Sequence, residues 1–369
     1  MKRVIFFGTY NVETTPRVGV LMDGMRANGV EVIECNVPLK VSTAERVAIL
    51  RQPWRLPVLG WRIVGCWLQL QKLARKLPKA DAVVVGYLGQ FDIHLAKHLF
   101  KSTPLVLDCM VTGGGVAADR GLQGKGNDGA KMKLVRWLDE SAFKLSDIII
   151  VDTVEHQELL PAEARAKSVV VLVGAPRNCF DAGAKRKVQK DDEPLQVLFY
   201  GNYTPLQGAP VIGRAITRLK TPMNITMIGS GQDEIETKRE ASEGSRVAVT
   251  WIPWVDGGPL ATLLASQDVC LGIFGTSAKA QRVVPNKVFA GAATGCAVIT
   301  SDTAPQRRVL GDAARFVPAG DDEALAIVIE ELAANRKELG RLQKASYELA
   351  LTTFVPKAIV KPLLEKLAW

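Results

Sequence analysis

The sequence predicts an α/β protein of two doubly wound, parallel-sheet domains facing a cleft. Three observations predict it. Short apolar runs alternate with segments of helical period almost from end to end. The alternation breaks at a polar, charge-rich stretch, 181–194, and then restarts. The length of 369 residues suits two domains, each with its own core.

In the first half the strand-like runs are VIFF (4–7), VEVIEC (30–35), AVVVGY (82–87), PLVLD (104–108), DIIIVD (147–152) and VVVLV (169–173). Patterns of helical period separate them, among them 17–28, 58–77, 91–101 and 128–145. Beyond the linker-like stretch the runs are VLFYG (197–201), ITMIG (225–229), VAVTWI (247–252), VCLGIF (269–274), AVIT (297–300) and ARFV (314–317). Helical patterns lie between them and again at 321–335 and 337–352, with a terminal helix expected over 355–369. The expected domains are 1–185 and 195–352, followed by a tail at 353–369.

Composition narrows the function classes. Lys and Arg number 47 against 38 Asp and Glu, a net charge of +9, which suits an anionic partner. The aromatic and basic residues form no nucleic-acid recognition motif, so nucleic acid is not expected. Six scattered cysteines without a CxxC read as reduced, buried thiols of a cytoplasmic protein. The N-terminal apolar run is too short for a signal peptide and reads as a first strand. No run of about 20 apolar residues is present, so no spanning helix is expected.

The segment Val269–Ser301 contains no Asp or Glu, yet carries Lys279, Arg282 and Lys287. It reads as strand, basic loop, helix and strand, with Pro285 opening the helix and Gly295 stopping it. At the carboxyl edge of a parallel sheet, such a loop sets cations and a helix N-terminus where an anion binds. Other strand-end loops are GTYNVETTPRVG from Gly8 to Gly19, GNYTPLQG from Gly201 to Gly208, and GSGQ with Gly229 and Gly231. None is GxGxxG, and no acidic residue ends a clean second strand, so a standard dinucleotide site is not expected.

The second half resembles the C-terminal domain of retaining, family-four glycosyltransferases of the GT-B fold. The matching residues are FYGNYTPLQG (199–208), MIGSGQ (227–232), VTWIPWV (249–255) and PNKVFAGAATGCAVITSDT (285–303), with Asp321 to Glu323 following. In the first half the likeness is looser: FFGTY (6–10), PRVG (16–19), GVEVIEC and VVVGYLGQFDIHLAKHL (83–99). The resemblance implies GT-B architecture and transfer of a sugar from a nucleotide-diphosphate donor to an acceptor hydroxyl. It implies retention of configuration, with neither metal nor cofactor. It also implies a final helix crossing back onto the first domain.

Carried onto this chain, the donor-binding residues would be Gly201, Asn202, Gln207, Gly229, Ser230, Trp254, Lys279, Arg282, Lys287 and Val288. The helix beginning near Pro285 would aim its positive end at the diphosphate. Gly8, Tyr10, Arg17 and Gly19 would form the facing loop of the first domain. Asp108, which ends its strand where family members often carry a His or Asp, is the candidate catalytic group. The chain departs from the family pattern at four charged positions. Asn202 and Gln207 stand where an Arg and a Lys are usual, and Arg282 and Ala290 where two Glu are usual. The expectation is that Lys279, Arg282 and Lys287 supply the positive charge from the opposite side of the diphosphate. The alternative is a protein of the same fold that binds a sugar nucleotide or a partner without catalysis; an epimerase acting on sugar nucleotides is a further reading.

Residues 46–80 contain no acidic residue, eight basic ones, and Trp54, Trp61 and Trp67. Ile63, Trp67, Leu70, Ala74 and Leu77 recur close to helical period, with Arg62, Gln69, Lys72 and Lys76 opposite. Two readings stand: a helix lying on an anionic membrane, reaching a lipid-linked acceptor, or a core-facing helix with a solvated basic back. His94 and His98 share i, i+4 spacing without a third metal ligand, so no metal site is expected. The glycine-rich stretch 112–130 lacks the GxxxxGK[ST] pattern and is expected to be a loop able to close over an acceptor.

Overall fold

The computed structural model describes residues 1–12, 15–39, 56–87, 89–110, 128–187, 193–242 and 247–369. The first sheet contains β1 (Arg3–Gly8), β2 (Glu31–Asn36), β3 (Ala82–Val85), β4 (Leu105–Asp108), β5 (Ile148–Val151) and β6 (Ser168–Val170), ordered β2-β1-β3-β4-β5-β6. The second contains β7 (Leu195–Tyr200), β8 (Met223–Ile228), β9 (Ala248–Ile252), β10 (Val269–Leu271), β11 (Ala297–Ser301) and β12 (Ala314–Val317), ordered β12-β11-β10-β7-β8-β9. Every ladder is parallel. Strand order therefore reverses between β1 and β3 in one sheet, and between β7 and β10 in the other.

Parallel strands covered on both faces need apolar residues at odd and even positions alike. β1 meets this with Val4 and Phe6 in one helical layer and Ile5 and Phe7 in the other. β7 does so with Val197 and Phe199 on one side and Leu198 on the other. Each such side chain contributes about 1.5–3 kcal/mol by leaving water. Helix ends are set locally. Asp321 accepts from the Ala324 amide (2.9 Å) to start the helix Asp322–Ala334, and Asn335 does the same for Arg336–Leu349 through Glu338 N–H (3.0 Å).

Val171 packs in the first domain's core, whereas Val173 and Ala175 pack in the second's, on either side of Gly174. The helix Arg177–Gly183 packs on the second domain, with Cys179 in the core that holds Leu198 and Val288. A Cβ on Gly183 would run into the Ala293 carbonyl, so this close approach requires glycine. The return crossing runs alongside the first: Ala175 N–H donates to the Phe354 carbonyl (3.1 Å). Beyond it come two short helices, Pro356–Ile359 and Lys361–Lys366, rather than one. Pro362 lacks the N–H that a continuous helix would need. Ile359, Val360, Leu363 and Leu364 are buried with Val4, Phe6 and Val18 of the first domain.

The helix Leu56–Ala74 turns Trp67, Leu70 and Ala74 toward the first core. Thus the periodic face identified in the sequence is the core face. Residues 46–55 of the basic segment and 112–127 of the glycine-rich stretch lie outside the described residues. Among the described residues, no helix is long and apolar enough to cross a membrane.

Candidate functional site

The carboxyl edges of the two sheets face each other. Thr153, just past β5, donates through Oγ1 to the carbonyl of Arg282 beyond β10 (2.8 Å). Glu155 takes a bidentate pair from Arg308, which lies beyond β11 (2.8 and 3.1 Å). Met110, beyond β4, packs against the second domain's core. Both strand-order reversals therefore open into one interdomain cleft, the place where open α/β sheets hold ligands.

On the second-domain side the loops interlock through backbone hydrogen bonds. Tyr203 N–H donates to Ser230 O (2.9 Å), Gly229 N–H to Ile252 O (2.8 Å) and Phe274 N–H to Gln207 O (3.0 Å). Gly208 has φ +66°, and a Cβ there would lie 2.5 Å from the amide nitrogen of Gly275. At Gly229, φ +130°, a Cβ would collide with the Gly201 carbonyl. The glycines seen in the sequence are thus required for the loops to touch. They leave a floor of bare backbone where a ligand can approach closely.

Lys287 reaches this floor from below. It is the second residue of the helix Asn286–Ala293 and only 3% exposed. Its Nζ donates to Gln207 Oε1 (2.5 Å) and lies 3.6 Å from the centre of the Phe199 ring. A Cβ on Gly201 would stand 3.0 Å from that nitrogen. Burial pushes the lysine well below its ordinary pKa, with the Cys270 thiol opposing slightly. Among the described residues, no carboxylate pairs with it.

The other sequence candidates fall in three groups. Gly201, Gln207, Gly229 and Ser230 lie at the interlocked loops with Lys287, and Asn202 is exposed beside them. Arg282 stands at the domain boundary, and Lys279 is half-buried on the same loop. Trp254 is 64% exposed beyond β9 and donates to Asp256 Oδ1 (3.0 Å). The Val288 side chain is fully buried in the core, leaving its backbone for a ligand. Ala290 is buried as well and offers no carboxylate.

The first-domain candidates require a larger correction. Asp108 does not present a carboxylate to the cleft. Its side chain is fully buried, and both oxygens accept from Arg17 Nε (2.9 and 3.1 Å). Burial pushes the Asp108 carboxyl up, while Arg17 pulls it back. Arg17 is equally buried and donates also to Val171 O (3.1 Å) and Leu172 O (3.2 Å). The pair ties the helix Pro16–Ala27 to β4 and to the segment after β6. Gly8 (φ +141°) packs over Asp92, Tyr10 donates to Glu34 (3.0 Å), and Gly19 would crowd Val12 if it carried a Cβ.

Sequence reasoning missed Asp92 and the pair Asp152–His156. Asp92 is buried, its pKa raised by desolvation. It accepts from Thr9 N–H (2.7 Å), Thr9 Oγ1 (2.8 Å) and Trp67 Nε1 (2.8 Å), fixing the loop after β1. His156 Nδ1 lies 2.6 Å from Asp152 Oδ1 at the cleft end of β5. The only sequence signal there was a Thr just past a strand, and Thr153 does cap the next helix by accepting from His156 N–H (3.2 Å). His94 bonds Ser141 (3.1 Å) and stacks on Trp137, and no metal-ligand cluster occurs among the described residues.

Comparison with known proteins agrees with this architecture. Residues 194–335 match the family described as glycosyl transferases group 1. Sucrose-phosphate synthase from Thermosynechococcus elongatus superposes with a TM-score of 0.69 at 15% identity, covering 99% of this chain and 98% of that one. HepE of Anabaena, in complex with UDP-glucose, gives 0.64 at 11% identity with full coverage of both chains. An α,α-trehalose-phosphate synthase from Burkholderia vietnamiensis gives 0.65 at 11%, covering 100% of this chain and 97% of that one. No curated protein sequence matches. The fold is GT-B, and the second domain matches the family model described as glycosyl transferases group 1.

Proposed function

We propose that the protein is a retaining glycosyltransferase that moves a sugar from a nucleotide-diphosphate donor to an acceptor hydroxyl. The acceptor oxygen replaces the phosphate oxygen at the anomeric carbon, and the hydroxyl proton leaves to water or to the released nucleotide. The observation that carries this reading is the position of Lys287. Its ammonium lies under Gly201 and against Gln207, where the family usually places its own cation. A donor diphosphate seated on the glycine floor would replace the Gln207 amide oxygen as the partner of Lys287. In a site shielded from water, a fixed cation stabilises charge building on the leaving phosphate more than it does in bulk solvent. The amides at the start of Asn286–Ala293 add positive potential from the same side.

The loops after β8 and β9, with Ser230 and Trp254, would flank ribose and base. The ribose would be held without the usual carboxylate, because Ala290 occupies that register. UDP-glucose is the first donor to test, since HepE is described with it. Incubation with a panel of nucleotide sugars, with and without simple sugar acceptors, should release nucleoside diphosphate from at least one donor. Donor binding without any turnover would support the alternative, a protein that binds sugar nucleotides without catalysis. Binding of no donor would overturn both readings.

A further inference from the structure

We infer that the outer surface of the first domain's helical layer docks on an anionic lipid membrane, independently of which sugar is transferred. The helix Leu56–Ala74 carries two apolar faces. One holds Trp67 and Leu70 against the core, with Trp67 Nε1 bonded to Asp92 (2.8 Å). The other faces solvent: Val58 is 57% exposed, Trp61 81%, Val64 45% and Leu68 55%. Spacings of three and four residues put these on one stripe, and Lys72 and Lys76 extend it. A helix needed only for packing has no use for the second stripe.

The neighbouring helices of the same layer also expose apolar side chains. The middle helix Asp92–Leu99 is joined to Leu56–Ala74 by the Trp67–Asp92 bond. It is joined to Asp128–Leu145 by the His94–Ser141 bond (3.1 Å) and the His94–Trp137 stack. This layer exposes Phe91 (46%), Leu134 (60%) and Trp137 (58%). Exposed cations accompany them: Arg62 between Trp61 and Val64, and Lys133 and Arg136 beside Leu134 and Trp137. Each helix runs antiparallel to its strands. The helix N-termini, with Val58 and Trp61, with Phe91 capping Asp92–Leu99, and with Leu134 in the first half of Asp128–Leu145, thus lie toward the carboxyl edge where the cleft opens, and Trp137 sits at mid-helix.

Charge complementarity selects the occupant. Tryptophans and leucines interleaved with arginine and lysine suit the boundary between acyl chains and anionic headgroups. A second copy docked on the same surface would set these cations against themselves. A nucleic acid would leave the exposed leucines and valines without a partner.

The test is co-sedimentation of the whole protein with vesicles of phosphatidylcholine alone and of phosphatidylcholine with 30% phosphatidylglycerol (about that fraction gives a strongly anionic surface). Pelleting should require the anionic lipid and weaken with salt. Trp61→Ser combined with Leu68→Ser should lower the bound fraction at fixed lipid by about tenfold or more. Arg62→Glu with Lys133→Glu should do so chiefly at low salt. Urea midpoints should match wild type in both variants, because the four positions face solvent. Equal pelleting with neutral and anionic vesicles, no pelleting with either, or binding unaffected by the apolar pair would each overturn the proposal. Reversible self-association lost in Trp61→Ser/Leu68→Ser, without vesicle binding, would assign the surface to a second copy instead.

Discussion

Lys287 Nζ lies 2.5 Å from Gln207 Oε1 and 3.6 Å from the centre of the Phe199 ring, joining the helix Asn286–Ala293 to a loop 80 residues earlier in the sequence. A neutral amide and an aromatic face are the partners of a nearly buried ammonium. That arrangement is poor for stability, because desolvation of the charge is only partly offset. It is good for recruiting an anion.

Replacing Lys287 by Met should therefore separate stability from binding. The urea midpoint should stay level or rise, since a buried charge without a carboxylate is removed. Affinity for UDP in calorimetric titration should fall by roughly 1.5–3 kcal/mol, the worth of a hydrogen bond to a charged group. Unchanged affinity would exclude Lys287 as the phosphate cation.

The pH dependence follows from the direction of the shift. Burial holds Lys287 well below the free lysine value. Between the folded and unfolded pKa values the unfolded chain binds more protons, so stability from this residue rises with pH across that window. It is fully present above the ordinary lysine value and lost as pH falls through the folded one. Nucleotide binding runs the other way. A diphosphate favours the protonated form, so binding above the folded pKa takes up a proton and weakens as pH rises. Calorimetry in buffers of different ionisation enthalpy should detect that proton in wild type and not in Lys287→Met.

Gly208→Ala should cost more than its backbone angle alone explains. An alanine in the left-handed region costs about 1–2 kcal/mol. At Gly208 its methyl would also press on the backbone of Phe274 and Gly275. Gly29, just past the helix Pro16–Ala27, provides the control, with φ +79° and open space around a Cβ. Gly29→Ala should show only the conformational cost, whereas Gly208→Ala should exceed it and weaken UDP binding as well. Equal losses in the two variants would mean that the Gly208 loop yields freely.

Asp108→Ala should unfold the protein more readily rather than disable a catalytic step. Removing one partner of a buried pair strands the other charge, at about 3–5 kcal/mol. Arg17→Met with Asp108→Leu should recover much of that loss, and any transferase activity should return with it. A stable, folded Asp108→Asn protein with no turnover and normal donor binding would restore the catalytic reading.

Much of the fold was legible because parallel strands buried on both faces must be apolar throughout. VIFF, AVVV and IIIV could hardly be anything else, and β1, β3 and β5 include them. The domain crossing was harder to see. Residues 177–183 look polar, and one buried cysteine with a glycine-only contact binds them to the second domain. Asp108 was placed at its strand end from sequence, yet its partner Arg17 lies 91 residues away. No local pattern marks such a pairing. The helix from Leu56 shows the same limit. Periodicity found the face that packs on the sheet, but not the second apolar stripe left in solvent.

By itself the sequence determined that Val269–Ser301 would be a strand, an acid-free loop, a helix and a strand, with its cations near a sheet edge. Strand and helix periods, Pro285 and Gly295 are local signals, and they suffice for that. Only the tertiary structure decided what each cation does. Lys287 is drawn under the Gly201 loop because the helix Asn286–Ala293 packs beneath β10 and β11, and the Arg282 carbonyl is brought against Thr153 of the first domain. Local sequence sets backbone conformation, whereas the direction and solvation of a charged side chain depend on partners brought together only when the sheets close.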